Sequence, residues 1–261
     1  MDKVAALPMK QRNELFQASA DRRGLLPAII EKDFWVCWLL KKLFASDELE
    51  GQLVFKGGTS LSKVHHLIER FSEDIDLVLN WGLLGYGDEG IDPWQNLPST
   101  NSQNRFNEEF NRRSATYIRE TLHPLVETIT QSVDEIRCVI PENDPNVIEV
   151  QYPASFSSTA FKPEVKLEIG PLASWIPKAD HVIQPYAGED FPRVFDNADC
   201  PVVAITAERT FWEKATILHQ QAHRHGHLPP RYSRHYYDLY RMTQSEVASN
   251  ALAEISLLAD V

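Results

Sequence analysis

Asp74 and Asp76 stand two residues apart, with apolar Ile75, Leu77 and Leu79 between and after them. Residues two apart on a strand project from one face, about 7 Å apart along the chain. Both carboxylates therefore leave one side while the apolar set packs on the other. Like charges held this closely repel unless a cation joins them. Their oxygens suit Mg2+, which keeps several waters and takes phosphate oxygens as further ligands. Gly57-Gly58 lies sixteen residues before Asp74 and ends the apolar run Leu53-Val54-Phe55. Thr59 then caps a helix expected to run to about Glu69. A strand end, two glycines and a helix start expose backbone N–H groups at a positive helix end. Glycine also lets a phosphate approach the backbone closely. Together these parts form a cradle for a triphosphate beside a metal site, the layout for in-line attack on phosphorus. A lone Gly-Gly is usually a plain turn, and a lone Asp-x-Asp a solvated strand end. Their spacing across one helix is the informative feature.

A second metal ion needs a further acidic ligand. In Glu164-Val-Lys-Leu-Glu-Ile-Gly170 the apolar residues alternate with Glu164, Lys166 and Glu168. Glu168 is the candidate third metal ligand; the alternative is an ordinary solvated strand face. Lys214 sits among Phe211, Trp212, Ala215 and Leu218 at helical spacing, where a lysine either snorkels or offers a point charge to a triphosphate. Asp238 lies in a Tyr-rich helix. It either pairs structurally with Arg234 or Lys214, or orients an acceptor hydroxyl. Residues 209 to 241 carry six Lys/Arg against two acids, while the whole chain has net charge −11. A local basic face of this kind suits a phosphate-rich substrate; the alternative is a set of solvated helix faces. His219 and His223 have a metal-capable spacing of four. No Glu follows the HExxH pattern, and Gly226, Pro229 and Pro230 break the helix, so the histidine-rich segment 219–235, with His225 and His227, is not a zinc site. His65 and His66 read as structural or surface residues.

The elements that must position these groups follow from periodicity. Residues 10–20 form a short helix, and Pro27 opens a long one in which Ile29, Ile30, Phe34, Trp35, Trp38, Leu39 and Leu43 recur at helical spacing. Ile75–Leu79 is a strand, 81–104 a long loop, and about 105–131 a polar helix. Strands are expected over 136–140, 147–152, 164–169 and 202–205, then helices over 206–224, 233–242 and 244 to the end. The 261 residues suffice for one large domain or two small ones, with 43% hydrophobic and 24% charged residues, which excludes a disordered or collagen-like chain. Cys37, Cys138 and Cys200 form no CxxC and read as reduced thiols. The most apolar stretch, Phe34–Leu40, is far too short to span about 30 Å of hydrocarbon. Residues 1–10 lack a signal-peptide pattern, so a cytoplasmic protein is expected.

Gly57-Gly-Thr-Ser-Leu-Ser-Lys63 followed by Arg70-Phe-Ser-Glu-Asp-Ile-Asp-Leu77 resembles the signature of the AbiEii/AbiGii toxin family, within the polymerase-β-like nucleotidyltransferase superfamily. Glu208-Arg-Thr-Phe-Trp-Glu-Lys214 and Arg234-His-Tyr-Tyr-Asp-Leu239 are similar to the family's C-terminal ExxxxxK and RDxYDL patterns, so the resemblance covers about residues 27–242. His235 stands where the family pattern has Asp. The resemblance implies a toxin of a bacterial toxin–antitoxin or phage-defence pair. It further implies transfer of a nucleotide from an NTP, in some relatives onto tRNA acceptor ends. By this resemblance Asp74 and Asp76 match the metal ligands, and Lys214 and Asp238 the C-terminal catalytic pair. Thr59, Lys63 and Ser72 join Gly57 and Gly58 as nucleotide-binding candidates. The chain stops at Val261 within an expected helix, and relatives tend to continue further, so a shortened protein or fragment is expected.

The expected fold is α+β: a polymerase-β-like mixed sheet with flanking helices over 1–205, then a helical C-terminal region over 206–261. The expected function is Mg2+-dependent transfer from an NTP to RNA, tRNA foremost, with a cognate antitoxin as partner. A nucleotide- or partner-binding relative without transfer, and a small-molecule nucleotidyltransferase, are the alternatives. The intact Asp-x-Asp disfavours the first, and the basic C-terminal face disfavours the second.

Overall fold

The computed structural model describes residues 1–86, 99–170, 175–224, 226–227, 231–259 and 261. Residues 87–98 of the expected loop, with His225, Pro229 and Pro230, lie outside them. Seven strands form one mixed sheet: β1 (Leu53–Lys56), β2 (Ile75–Leu79), β3 (Arg137–Val139), β4 (Val147–Gln151), β5 (Glu164–Ile169), β6 (Lys178–Ile183) and β7 (Cys200–Ile205). Their spatial order is β3-β4-β5-β2-β1-β7-β6. β2 is antiparallel to β1 and parallel to β5, and β1 is parallel to β7. The described helices are α1 (Asp2–Ala5), α2 (Met9–Arg23), α3 (Pro27–Phe44), α4 (Gly57–Lys63), α5 (Thr100–Tyr117), α6 (His123–Thr130), α7 (Tyr186–Asp190), α8 (Ala207–Ala222), α9 (Ser233–Thr243), α10 (Glu246–Ala253) and α11 (Ser256–Ala259). The fold is thus α+β, and no described helix is long and apolar enough to cross a membrane.

Alternation along the central strands decides which face is which. Leu53 and Phe55 of β1, Ile75, Leu77 and Leu79 of β2, and Val165, Leu167 and Ile169 of β5 share one core with α3. Helix α3 starts at Pro27, whose missing N–H costs nothing in the first turn. It is buried nearly all round because neighbours enclose it: Ile30, Phe34, Trp35, Trp38, Leu39 and Leu43 are all buried. Each such side chain contributes roughly 1.5–3 kcal/mol of burial. A small separate cluster of Val54, Val78, Trp175 and Ile205 lies apart from this core. A second core joins α4 to the C-terminal helices through Leu61, Ile68, Phe211, Trp212, Met242 and Ala251.

Several expected boundaries shift. Helix α4 begins at Gly57 itself and ends at Lys63, and its N-cap is Lys56, without a side-chain cap bond. Thr59 is therefore inside the helix and caps nothing. The helix stops early because the chain reverses at His66, with φ 53, and the N–H of Leu67 returns to the carbonyl of Leu61. That reversal carries Ile68 into the second core. Helix α5 begins at Thr100, five residues before the expected start, and Ser99 Oγ accepts from the Ser102 N–H at 3.2 Å. The last expected helix is split into α10 and α11. Strand β6 was not expected at all; it pairs with β7 at the sheet edge.

Candidate active site

The sheet register builds the acidic wall. Lys56 on β1 pairs with Asp76 on β2, and Asp76 pairs with Glu168 on β5. These three side chains stand in one row across neighbouring strands, and Asp74 lies just before β2. The acids line a cleft of about 550 Å³ together with Gly57, Gly58 and Ser72. The nearest cations are engaged with other acids: Lys56 with Glu213 at 2.9 Å, Lys166 with Glu149 at 3.6 Å and Lys214 with Asp238 at 2.9 Å. Burial, with Asp74 alongside, pushes Asp76 up to about 6 against the pull of Lys56. Burial and the two aspartates push Glu168 up to about 7. Burial also raises Asp74.

Among the described residues no group of three or more His, Cys, Asp or Glu side chains stands close enough together to hold a metal ion. The donor chemistry nonetheless fits a hard divalent cation. Its oxygen ligands would be Asp74, Asp76 and Glu168, and water and phosphate oxygens would complete the set. The raised carboxyls also fix a pH dependence. Below about pH 4 these groups are protonated in folded and unfolded chains alike and change nothing. Between about pH 4 and pH 6 to 7 the unfolded chain has already released these protons while the folded chain keeps them, so stability falls across that window and levels off above it. Glu168→Gln is expected to raise the melting temperature in chelator-treated protein, by more at pH 8 than at pH 5. Thermal unfolding at both values checks this.

The opposite wall is basic. Asp238, fully buried on α9, accepts from Arg70 Nε and Nη2, both at 2.7 Å, and pairs with Lys214 of α8 at 2.9 Å. Burial works against its charge, but Arg70 and Lys214 hold its carboxyl below the usual range. Of the readings open for Asp238, the geometry gives an ion pair, with Arg70 and Lys214 rather than Arg234 as partners. Arg70, Lys214, Arg231 and Arg234 all line the cleft, as does His235, whose Nδ1 is enclosed without a hydrogen-bond partner among the described residues. The basic segment is thus divided. Lys214, Arg231 and Arg234 face the acids, whereas Arg209 lies near Glu213 and Arg241 pairs with Glu69. His219 and His223 touch each other on the exposed side of α8.

The glycines are needed first by the site's own side chains. Gly57 has φ +75, and a Cβ there would stand 1.9 Å from Asp76 Oδ2. A Cβ on Gly58 would stand 2.7 Å from Ser72 Oγ and 2.9 Å from Arg70 Nη2. Gly57→Ala must therefore displace Asp76 and also strain a left-handed backbone, which costs roughly 1 kcal/mol. Its expected result is loss of divalent-cation binding with a modest drop in melting temperature. Mn2+ titration followed by paramagnetic resonance reads the first effect, and thermal unfolding the second.

Two nucleotide-binding candidates fall outside the cleft. Thr59 is buried, and its hydroxyl donates to the Asp74 carbonyl at 2.5 Å. It ties α4 to the aspartate strand because it points into the fold rather than at a helix start. Lys63 is buried too, 2.8 Å from Asp33 Oδ1 and over the Tyr186 ring at 4.0 Å. Its ammonium is held by Asp33 of α3 and is not among the groups that line the cleft. Lys56, Arg70 and Glu213 are site residues that the sequence reading did not assign to the site, whereas Arg231 belongs to the basic 209–241 face it did read as suiting a phosphate-rich substrate. Of the unassigned residues Arg70, which opens the Arg-Phe-Ser-Glu-Asp run, carried a signal.

Residues 38–260 match the family described as nucleotidyl transferase AbiEii toxin, type IV TA system. No curated protein matches the chain.

Proposed function

The chain belongs to the AbiEii nucleotidyl transferase toxin family of type IV toxin–antitoxin systems, and from that premise we propose a Mg2+-dependent enzyme that moves a nucleotide from an NTP to RNA. The proposed acceptor is tRNA, the proposed setting is the bacterial cytoplasm, and a cognate antitoxin, in a phage-defence pair, would restrain the enzyme. One observation carries this reading: an acidic wall of Asp74, Asp76 and Glu168 faces a basic wall of Arg70, Lys214, Arg231 and Arg234 across one cleft.

The acidic wall would hold the metal ion, which when bound neutralises phosphate charge and orients the reacting oxygens. The chain's own residues do the rest. Lys214 and Arg70, fixed by the shared Asp238, present cations toward the opposite side of the triphosphate. Charges fixed in place before reaction stabilise the transition state without reorganising during it. Arg231 and Arg234 stand at the same wall, where an incoming RNA backbone would meet them. The acceptor hydroxyl oxygen bonds to the α-phosphorus and loses its proton; the bond from that phosphorus to the bridging oxygen breaks, and pyrophosphate leaves.

Growth is the test in the cell. Inducing the protein in a bacterium that lacks the neighbouring gene is expected to stop growth, and the Asp74→Ala form is expected to permit it. Equal growth with both forms would favour a binding protein without transfer.

A further inference from the structure

Helix α3 buries three consecutive charged residues, Glu31, Lys32 and Asp33. Buried charges are costly unless each is paired and hydrogen-bonded, and a different part of the molecule meets each one. Glu31 accepts from the N–H groups of Ser155 and Phe156 at 2.9 and 3.1 Å. Lys32 donates to Glu73 Oε2 at 3.1 Å and to the Lys162 carbonyl at 3.3 Å. Asp33 pairs with Lys63 at 2.8 Å and accepts from the Tyr186 N–H at 2.6 Å. Glu73 lies between Ser72 and Asp74, and Lys63 ends the helix that begins at Gly57.

We propose that Lys32 and Asp33 are positioning residues of the active site: side by side on α3, Lys32 anchors the aspartate segment through Glu73, and Asp33 anchors the Gly57-Gly58 helix through Lys63. Asp74 needs such an anchor. It precedes β2, and the β2–β5 pairing starts only at Ile75. Sheet hydrogen bonds therefore leave Asp74 to be placed by its neighbours. The Lys32 anchor reaches further, because Glu73 also accepts from Arg231 of the basic wall. One buried ammonium thus sets both the acidic ligand and a cation across from it. The inference rests on the nucleotidyltransferase reading of the cleft.

The test compares the full-length wild type with Lys32→Met and Lys32→Arg. Methionine fills the space of the stem, and Glu73 keeps Arg231, so no buried acid is stranded. Lys32→Met is expected to weaken Mn2+ binding by about tenfold, the scale seen when a partner behind a metal ligand is lost. Its turnover is expected to fall by about 10²-fold, as small misplacements near reacting groups do, with little change in KM for the NTP. Lys32→Arg is expected to restore most of both. Folded Lys32→Met with wild-type Mn2+ affinity and turnover would overturn the proposal. If that variant does not fold, Lys32→Met/Glu73→Gln removes both buried charges and is expected to show the same losses; normal values there would equally overturn it. The Asp33 arm uses Asp33→Asn/Lys63→Met in the same way, with lowered turnover expected and normal turnover decisive against it. Wild type that binds Mn2+ but transfers nothing would refute the nucleotidyltransferase reading, and the Mn2+ comparison would still decide the positioning role.

Discussion

Changing Asp76 to asparagine is expected to lower nucleotide transfer by roughly 10³-fold, the upper range for loss of one charge-stabilising group. The same change is expected to stabilise the metal-free protein. Asp76 is squeezed between Asp74 and Glu168, and Gly57 lies against its oxygen. Its carboxyl has been raised from 3.8 to about 6. One pKa unit corresponds to about 1.4 kcal/mol, so at pH 8 the charged form withholds on the order of 3 kcal/mol of stability. Asparagine keeps the shape and removes that charge. At pH 5 only about half of the advantage remains, because the unfolded chain is ionised there while the folded wild type stays largely protonated, and it vanishes below about pH 4. Activity and stability therefore move in opposite directions, and an injury to the fold cannot imitate that pattern. Near-normal turnover in Asp76→Asn would remove Asp76 from the site.

Lys214→Met is expected to lower turnover by roughly 10²-fold or more through loss of an electrostatic contact with the triphosphate. The neighbourhood makes this a clean comparison. Lys214 is buried between α8 and α9, and methionine retains most of its stem volume. Asp238 would still accept two bonds from Arg70, so it is not left as an unpaired buried charge. The melting temperature should accordingly move by only a few degrees, as roughly 1 kcal/mol does in a chain of this size. Turnover equal to wild type would reduce Lys214 to a strut for Asp238.

Local patterns in the chain announced the parts of the site that lie close in sequence. The apolar alternation around Asp74 and Asp76 announced a strand with one acidic face, and the Gly57-Gly58 pair announced a helix start beside it. Long-range contacts were harder to read. Glu168 could be placed on a strand face, yet only the parallel pairing of β2 with β5 puts it beside Asp76, 92 residues away. Lys63 read as a phosphate contact because its motif begins at the glycines; its partner Asp33 lies on another helix and leaves no local trace. The charges at 31–33 directly precede the apolar stretch Phe34–Leu40, and nothing nearby in the sequence shows that each meets a buried partner. Strand β6 was missed for a different reason. It is an edge strand whose residues Ala179, Asp180 and Val182 are exposed, so its two faces do not alternate in polarity.

The central claim is that the two facing walls hold an NTP for transfer to RNA. Incubating the protein with each labelled NTP in turn, with Mg2+ and total RNA, tests it most directly. Label from at least one NTP is expected to appear covalently in RNA with the wild type and to be absent with Asp76→Asn. RNA that stays unlabelled with every NTP, while the wild type is folded and supplied with Mg2+, would contradict the claim.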